Sequence, residues 1–273
     1  MINNPYKLLV VDIDGTMVGK GGAISAEDKD ALAKACCSGI QVSLSTGRVA
    51  QACVEIISHL SLDGYHIFSD GAVVSNTGTS EEIYVQPLSQ TVVREAIEFA
   101  HLNDMELDLY STTHYFAERE TWSAIAHREF FGIEPVIVDF SKLWGRERII
   151  KIGLVAVSAE EKDKARNFYL RFNSSCHFSW ARTPAYSGVD FINIVASGVS
   201  KGKAVEVLAS HLGISISEVI AIGDGINDIP LLSTAGLAVA MGNAPDEVKA
   251  VADHVTLDIT RSGLAAAINK FLL

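Results

Sequence analysis

Two aspartates follow directly on an apolar run: residues 8–16 read LLVVDIDGT, which sets Asp12 and Asp14 behind four aliphatic residues. Crowded carboxylates at the end of a buried strand are costly unless a cation or a reaction uses them. Two more, Asp224 and Asp228, stand in VIAIGDGIND, again just beyond an apolar run. An all-oxygen donor set suits Mg2+, which takes a few carboxylates together with water and phosphate oxygens. A carboxylate can also attack phosphorus, splitting one hard displacement into two easier ones, and Asp12 is placed for that. Asp14, beside a like charge, tends to keep a proton, which suits a general acid that later acts as base toward water. Thr46 in SLSTGR offers a hydroxyl to a phosphoryl oxygen, and Lys201 in VSKGKAV offers a full positive charge.

Each piece alone is weak. A DxD pair is common, and as the start of a calcium loop this one fails, because the twelfth position from Asp12 is Ala23 and not Glu. GKGG at 19–22 lacks the spacing of a phosphate-binding P-loop and reads as a flexible turn. STGR alone is a turn, GDGIND alone a helix-capping turn, and Lys201 alone a solvated helix residue. Weight comes from their order, with each at a strand end or a helix start.

The elements that must position them follow from the pattern. Residues 8–11 read as a short buried parallel strand. Ser25 with Asp28 reads as a capping box, and Gly39 as the stop of that helix. Residues 40–44 read as a strand, 49–60 as a helix and YHIFSDG as a third strand of one parallel sheet. After Gly71 the rhythm changes to hairpin strands, a helix at 91–102, strand–turn–strand at ELDLYSTTHYFAE, helices at 122–131 and 160–172, and two strands in CHFSWARTPAYSGVDFINIV. From Ser200 the first rhythm returns. In doubly wound sheets ligands lie beyond the carboxyl ends of the strands, so the distant motifs converge there.

The bulk numbers narrow the function. The chain has 273 residues, 22 basic against 33 acidic, for a net charge of −11. An acidic surface argues against broad nucleic-acid or anionic-membrane binding. With 48% hydrophobic and 20% charged residues the composition is that of an ordinary globular protein. No apolar run reaches membrane-spanning length, and a cytoplasmic location is expected. The four cysteines, Cys36, Cys37, Cys53 and Cys176, form no CxxC pair and are expected reduced and largely buried. The eight histidines show no metal-ligand spacing. Nothing in the sequence speaks to oligomeric state.

In order, DIDGT, STGR, VSKGKAV and GDGINDIPLL resemble the four motifs of the haloacid dehalogenase superfamily of phosphotransferases. AMGNAPDEVKAVADHVT is similar to the segment after the last motif in the Cof-type branch, subclass IIB. The resemblance implies an α/β, Rossmann-like parallel-sheet core (residues 1–80 and 195–273) with an inserted α+β cap (81–194) that selects the substrate. It implies Asp12 as nucleophile and Asp14 as general acid/base. Thr46 and Lys201 would hold the phosphoryl group, and Asn227 would contact phosphate. Mg2+ would be held by Asp12, the Asp14 carbonyl and Asp224, with Asp228 in support. Two departures stand out. Asp70 in SDGA replaces the Asn that this branch usually carries before Gly-Ala, and TLDITRSGLA replaces its usual acidic N-x-E-D-G stretch.

The expected activity is hydrolysis of a small phosphorylated metabolite, such as a sugar phosphate, through an aspartyl-phosphate. A phosphosugar mutase shares the same residues but returns the phosphoryl group to the sugar. A non-catalytic binding protein on this fold would tolerate loss of Asp14 or Asp224, and both are present. His114, Tyr115, Arg182 and Tyr186 fall in strand-and-turn segments of the cap and are as readily surface or core as substrate contacts.

Overall fold

The computed structural model describes residues 4–19, 22–143, 145–181 and 188–273. The chain falls into two compact units, one of residues 1–46, 55–84 and 200–273, the other of residues 47–54 and 85–199. Arg182 and Tyr186 lie outside the described residues.

In chain order the elements are β1 (Leu8–Val11), α1 (Ala26–Cys37), β2 (Gln41–Leu44), α2 (Val54–His59), β3 (His66–Phe68), β4 (Val73–Asn76) and β5 (Glu81–Val85). Then come α3 (Gln90–Leu102), β6 (Asp108–Tyr110), β7 (Tyr115–Ala117), α4 (Trp122–Phe131), β8 (Val136–Ile137), β9 (Lys151–Ala156), α5 (Ala159–Phe172), β10 (Cys176–Ala181) and β11 (Asp190–Ala196). The chain closes with α6 (Lys201–Leu212), β12 (Val219–Gly223), α7 (Ile229–Thr234), β13 (Leu237–Ala240), α8 (Asp246–Lys249), β14 (His254–Val255) and α9 (Gly263–Phe271).

The first unit is built on a five-stranded parallel sheet in the order β14-β13-β12-β1-β2. All four residues of β1 are buried, as a strand covered on both faces requires. Side chains alternate, so Leu8 and Val10 share a face with their register partners Val219 and Ala221 of β12. That face forms one apolar cluster with Ala204, Val205 and Leu208 of α6. Each large side chain buried there stabilises the fold by about 1.5–3 kcal/mol. The alternation continues to Asp12, whose N–H bonds the Ile222 carbonyl at 2.9 Å. Asp12 thus emerges on the α6 side of the sheet, and Lys201 is the first residue of α6.

Ser25 caps α1 as expected, its hydroxyl accepting from the Asp28 N–H at 3.0 Å. Asp28 is itself buried and accepts from the Ala265 N–H at 2.7 Å, tying α1 to α9. Cys53 and Cys176 are buried, but Cys36 and Cys37 are exposed. The face of α1 turned inward is Asp28, Ala31, Leu32 and Ala35, and the last turn carries the two cysteines off it.

The third strand departs from the simple parallel pattern. β3 pairs antiparallel with β4 in a separate three-stranded sheet, β3-β4-β5, and runs parallel beside the end of β2, joined to it by the bridge between Ser45 and Ile67 and by the Thr46 N–H, which donates to the Ile67 carbonyl at 3.0 Å. The cause is local. The Leu44 N–H donates to His66 Nδ1 at 3.1 Å, so an imidazole replaces a ladder carbonyl. His66 is completely buried, and burial pushes its pKa down to about 4 from 6.5. The unfolded chain therefore binds a proton here between pH 6.5 and 4 while the folded chain does not, and stability falls as pH falls through that window. His66→Asn keeps an acceptor for Leu44 without titrating. Its unfolding free energy is expected to fall less between pH 7 and 4 than that of the parent, by on the order of 3 kcal/mol. Urea titrations of both proteins across that range check this, and parallel pH profiles refute it.

The second unit carries a six-stranded sheet in the order β10-β11-β9-β6-β7-β8. Its pairs are antiparallel except β7 with β8. Helices α3 and α5 meet through Phe99, whose ring stands edge-on to Phe168 and Phe172. Tyr115 is buried and donates to Asp108 at 2.8 Å, whereas His114 is exposed and contacts the Thr113 hydroxyl at 2.9 Å. Arg48 lies over the Phe131 ring in this unit. Among the described residues no helix is long and apolar enough to cross a membrane.

Candidate active site

At the carboxyl ends of β1 and β12 the expected carboxylates meet. One oxygen from each of Asp12, Asp224 and Asp228 lies within 4.8 Å of the others. Lys201 Nζ, fully buried, donates to Asp12 Oδ1 at 2.6 Å, to Asp228 Oδ1 at 2.5 Å and to the Ser45 carbonyl at 3.1 Å. Ser200 caps the helix that carries this lysine, accepting from the Lys203 N–H at 3.1 Å.

The electrostatics follow from burial. Loss of solvent, then repulsion from Asp228, holds the Asp12 carboxyl well above the usual range despite the attraction of Lys201. Asp224 is pushed up to about 7 by burial and by Asp228. Burial alone would lower the Lys201 pKa, but the charges of Asp12 and Asp228 outweigh it and keep the ammonium protonated. This excess of negative charge is the setting in which a hard divalent cation binds, and three clustered carboxylates supply its preferred oxygen donors.

The four carboxylates are not equivalent. Asp228 spends Oδ2 on the N–H groups of Asp224 and Gly225, at 3.0 and 2.8 Å, so it shapes the loop as well as anchoring Lys201. Asp224 is gripped at both oxygens, by the Thr16 hydroxyl at 2.9 Å and by Asn243 Nδ2 at 3.1 Å. Asp14 is exposed, in the turn where it bridges to Val18, and lies outside the cluster of three. Gly15 follows with φ +94, and a side chain there would overlap the Asp224 carboxylate. Thr46 is buried at the end of β2, its carbonyl accepting from the Asp70 N–H at 3.0 Å. Asn227 is turned toward Asp70, donating Nδ2 at 2.8 Å.

Asn243 is the site residue that motif reading passed over. Its Nδ2 also donates to the Gly15 carbonyl at 2.9 Å, and its Oδ1 accepts from the Ile259 N–H at 2.9 Å. It therefore joins the Asp12–Asp14 loop, Asp224 and the 258–262 loop. The signal was present: it stands just past β13, whose carboxyl end adjoins that of β12. In the 258–262 loop Ser262 Oγ lies 3.0 Å from the hydroxyl of Ser25, the cap of α1, and Arg261 pairs with Asp258.

Residues 9–268 match the family model of haloacid dehalogenase-like hydrolases. The chain is 29% identical to the putative phosphatase YxeH of Bacillus subtilis, over 98% of this chain and 99% of that one. It is 28% identical to the 5-amino-6-(5-phospho-D-ribitylamino)uracil phosphatase YcsE of Bacillus subtilis, over 98% and 96%. Among solved structures, a haloacid dehalogenase-like hydrolase from Bacteroides thetaiotaomicron superposes with a TM-score of 0.84 at 27% identity, covering 97% of this chain and 99% of that one. The subclass IIB sugar phosphatase BT4131 superposes with a TM-score of 0.79 at 26% identity, covering 97% and 98%. The chain is a phosphoric monoester hydrolase by fold and by kinship. Its four motifs, its parallel-sheet core and the match along nearly its whole length place it in one family: the chain belongs to the haloacid dehalogenase-like hydrolases, in their Cof-type branch.

Proposed function

We propose that this enzyme is a Mg2+-dependent phosphatase acting on a small phosphorylated metabolite, a sugar phosphate or similar phosphomonoester, through an aspartyl-phosphate on Asp12. The observation that carries it is the buried pairing of Asp12 with Lys201 at 2.6 Å inside a cluster of three carboxylates. Asp12 attacks phosphorus as the ester P–O bond breaks, and Asp14 passes a proton to the departing oxygen. Asp14 then takes a proton from water, whose oxygen attacks the same phosphorus. The Asp12–phosphorus bond breaks, releasing inorganic phosphate and restoring the carboxylate. Lys201, Thr46 and Asn227 face the phosphoryl oxygens and stabilise the charge that builds on them.

Asp12, the Asp14 carbonyl and Asp224 would hold Mg2+, with Asp228 supporting. When bound, the ion neutralises the phosphoryl group and the carboxylate that must approach it. Sugar phosphates are favoured as substrates because BT4131, similar over nearly the whole chain, is named a sugar phosphatase. The second unit, with its mostly antiparallel sheet, is read as the cap that selects the leaving group. We place the protein in the cytoplasm.

Turnover of p-nitrophenyl phosphate, followed by a panel of phosphosugars, glycolate phosphate, nucleotides and cofactor phosphates, tests the reading. Activity is expected to disappear with EDTA and return with excess Mg2+. Free phosphate is the expected product; an isomerised phosphosugar in its place identifies a mutase. Turnover that persists in chelator overturns the metal assignment.

A further inference from the structure

We propose that Asp70 is a positioning residue for the phosphoryl group that acts through Asn227, an inference that rests on the phosphatase reading above. Asp70 is 3% exposed, in the turn that follows β3. Ser69, Asp70 and Gly71 all have positive φ, 52°, 54° and 99°. The left-handed region is unfavourable for residues other than glycine, least so for Asp and Asn. A side chain at Gly71 would overlap the Ser200 carbonyl, so the turn lies tight against the start of α6.

From this turn Asp70 reaches two ways. Its N–H holds the Thr46 carbonyl at 3.0 Å, and its Oδ1 accepts Asn227 Nδ2 at 2.8 Å. Thr46 follows β2 and Asn227 follows β12, and in the sheet β1 lies between those two strands. Asp70 therefore ties together the two groups on either side of the strand that carries Asp12. An ionised carboxylate is acceptor-only, so it demands the amide nitrogen of Asn227 and fixes which way that side chain faces. A negative charge this close to a phosphate site repels a phosphate dianion, so its benefit must come from geometry. An asparagine side chain has both a donor and an acceptor end and would impose the orientation less firmly.

The test uses Asp70→Gly, which suits φ 54° and deletes the carboxylate while keeping the backbone N–H, and Asp70→Asn, which retains an acceptor. The readouts are KM and kcat for p-nitrophenyl phosphate with Mg2+, the rise in Tm produced by inorganic phosphate, and Tm alone. Asp70→Gly is expected to raise KM about tenfold with a smaller change in kcat, and to shrink the phosphate-induced rise in Tm. Its Tm without phosphate stays at or above that of the parent. Asp70→Asn stays within about threefold of the parent in KM. In an Asn227→Ala background, Asp70→Gly adds nothing further. The proposal is overturned if Asp70→Gly changes neither KM nor the phosphate shift. It is equally overturned if its effect multiplies with that of Asn227→Ala, or if Asp70→Asn loses as much as Asp70→Gly. A parent protein inert to both p-nitrophenyl phosphate and inorganic phosphate overturns the phosphatase reading itself, and this proposal with it.

Discussion

Asp12→Asn is expected to abolish turnover without loosening the fold. The rate should fall by at least about 10^4-fold, since the attacking oxygen is replaced by an amide and no neighbour can take its place. Asp224 is held at both oxygens by Thr16 and Asn243, and Asp228 is committed to Lys201 and to two backbone N–H groups. Stability should not fall with activity. The Asp12 carboxyl is raised by burial and by Asp228, so its charged form works against folding at neutral pH. The amide removes that cost and leaves Lys201 with Asp228 and the Ser45 carbonyl. The Tm of the variant in chelator should equal or exceed that of the parent. Asp14→Asn supplies the contrast, because a good leaving group such as p-nitrophenolate needs no acid. The first step then survives and the second slows, and stopped-flow mixing should show a burst of product before a slow steady state. Asp12→Asn shows no burst. A variant at position 12 that retains more than about one per cent of parental turnover removes the covalent mechanism.

The core of this site was legible because its chemistry is local to strand ends. LLVV followed by acids predicts a buried strand with carboxylates at its end, and a parallel sheet then brings Asp12 and Asp224 together with no further information. Lys201 was legible for a related reason, since a capping serine precedes it and the α6 face carries the apolar residues that pack behind β1. Links made by single side-chain hydrogen bonds over long sequence separations were not legible. Asn243 reaches Gly15 across 228 residues, and Asp70 reaches Asn227 across 157. No periodicity encodes such pairs; they depend on which loop happens to lie beside which strand end. β3 does run parallel beside the end of β2, but its sparse bonding there was not legible, because a ring nitrogen of His66 accepts the Leu44 N–H in place of a backbone carbonyl, and pattern reading cannot see that exchange. The exposure of Cys36 and Cys37 was misjudged because residue type was weighed before helical phase: Asp28 and not a cysteine faces α9.

Lys201→Met gives the largest expected loss of stability, and its sign rests on which of two opposed effects wins. Burying an ammonium is costly, and methionine of similar length removes that cost. The substitution also leaves Asp12 and Asp228, two carboxylates held close together and out of solvent, without their shared cation. An orphaned buried charge typically costs about 3–5 kcal/mol, and here there are two of them repelling each other, so the loss prevails. In chelator at pH 7 the Tm should drop on the order of 10 °C for a chain of this size. The deficit should shrink as pH falls. With the lysine gone, the folded state holds a proton on the Asp12 carboxyl at a pH where the unfolded chain does not, and protonation then favours folding. The double variant Asp12→Asn/Lys201→Met has one fewer orphan and should be more stable than Lys201→Met alone, a non-additivity that a double-mutant cycle reads directly. An unchanged Tm for Lys201→Met at pH 7, or a double variant no better than the single one, means that Lys201 does not offset the charge of Asp12. The assignment of Lys201 as the fixed cation that faces the phosphoryl group would then lose its physical basis.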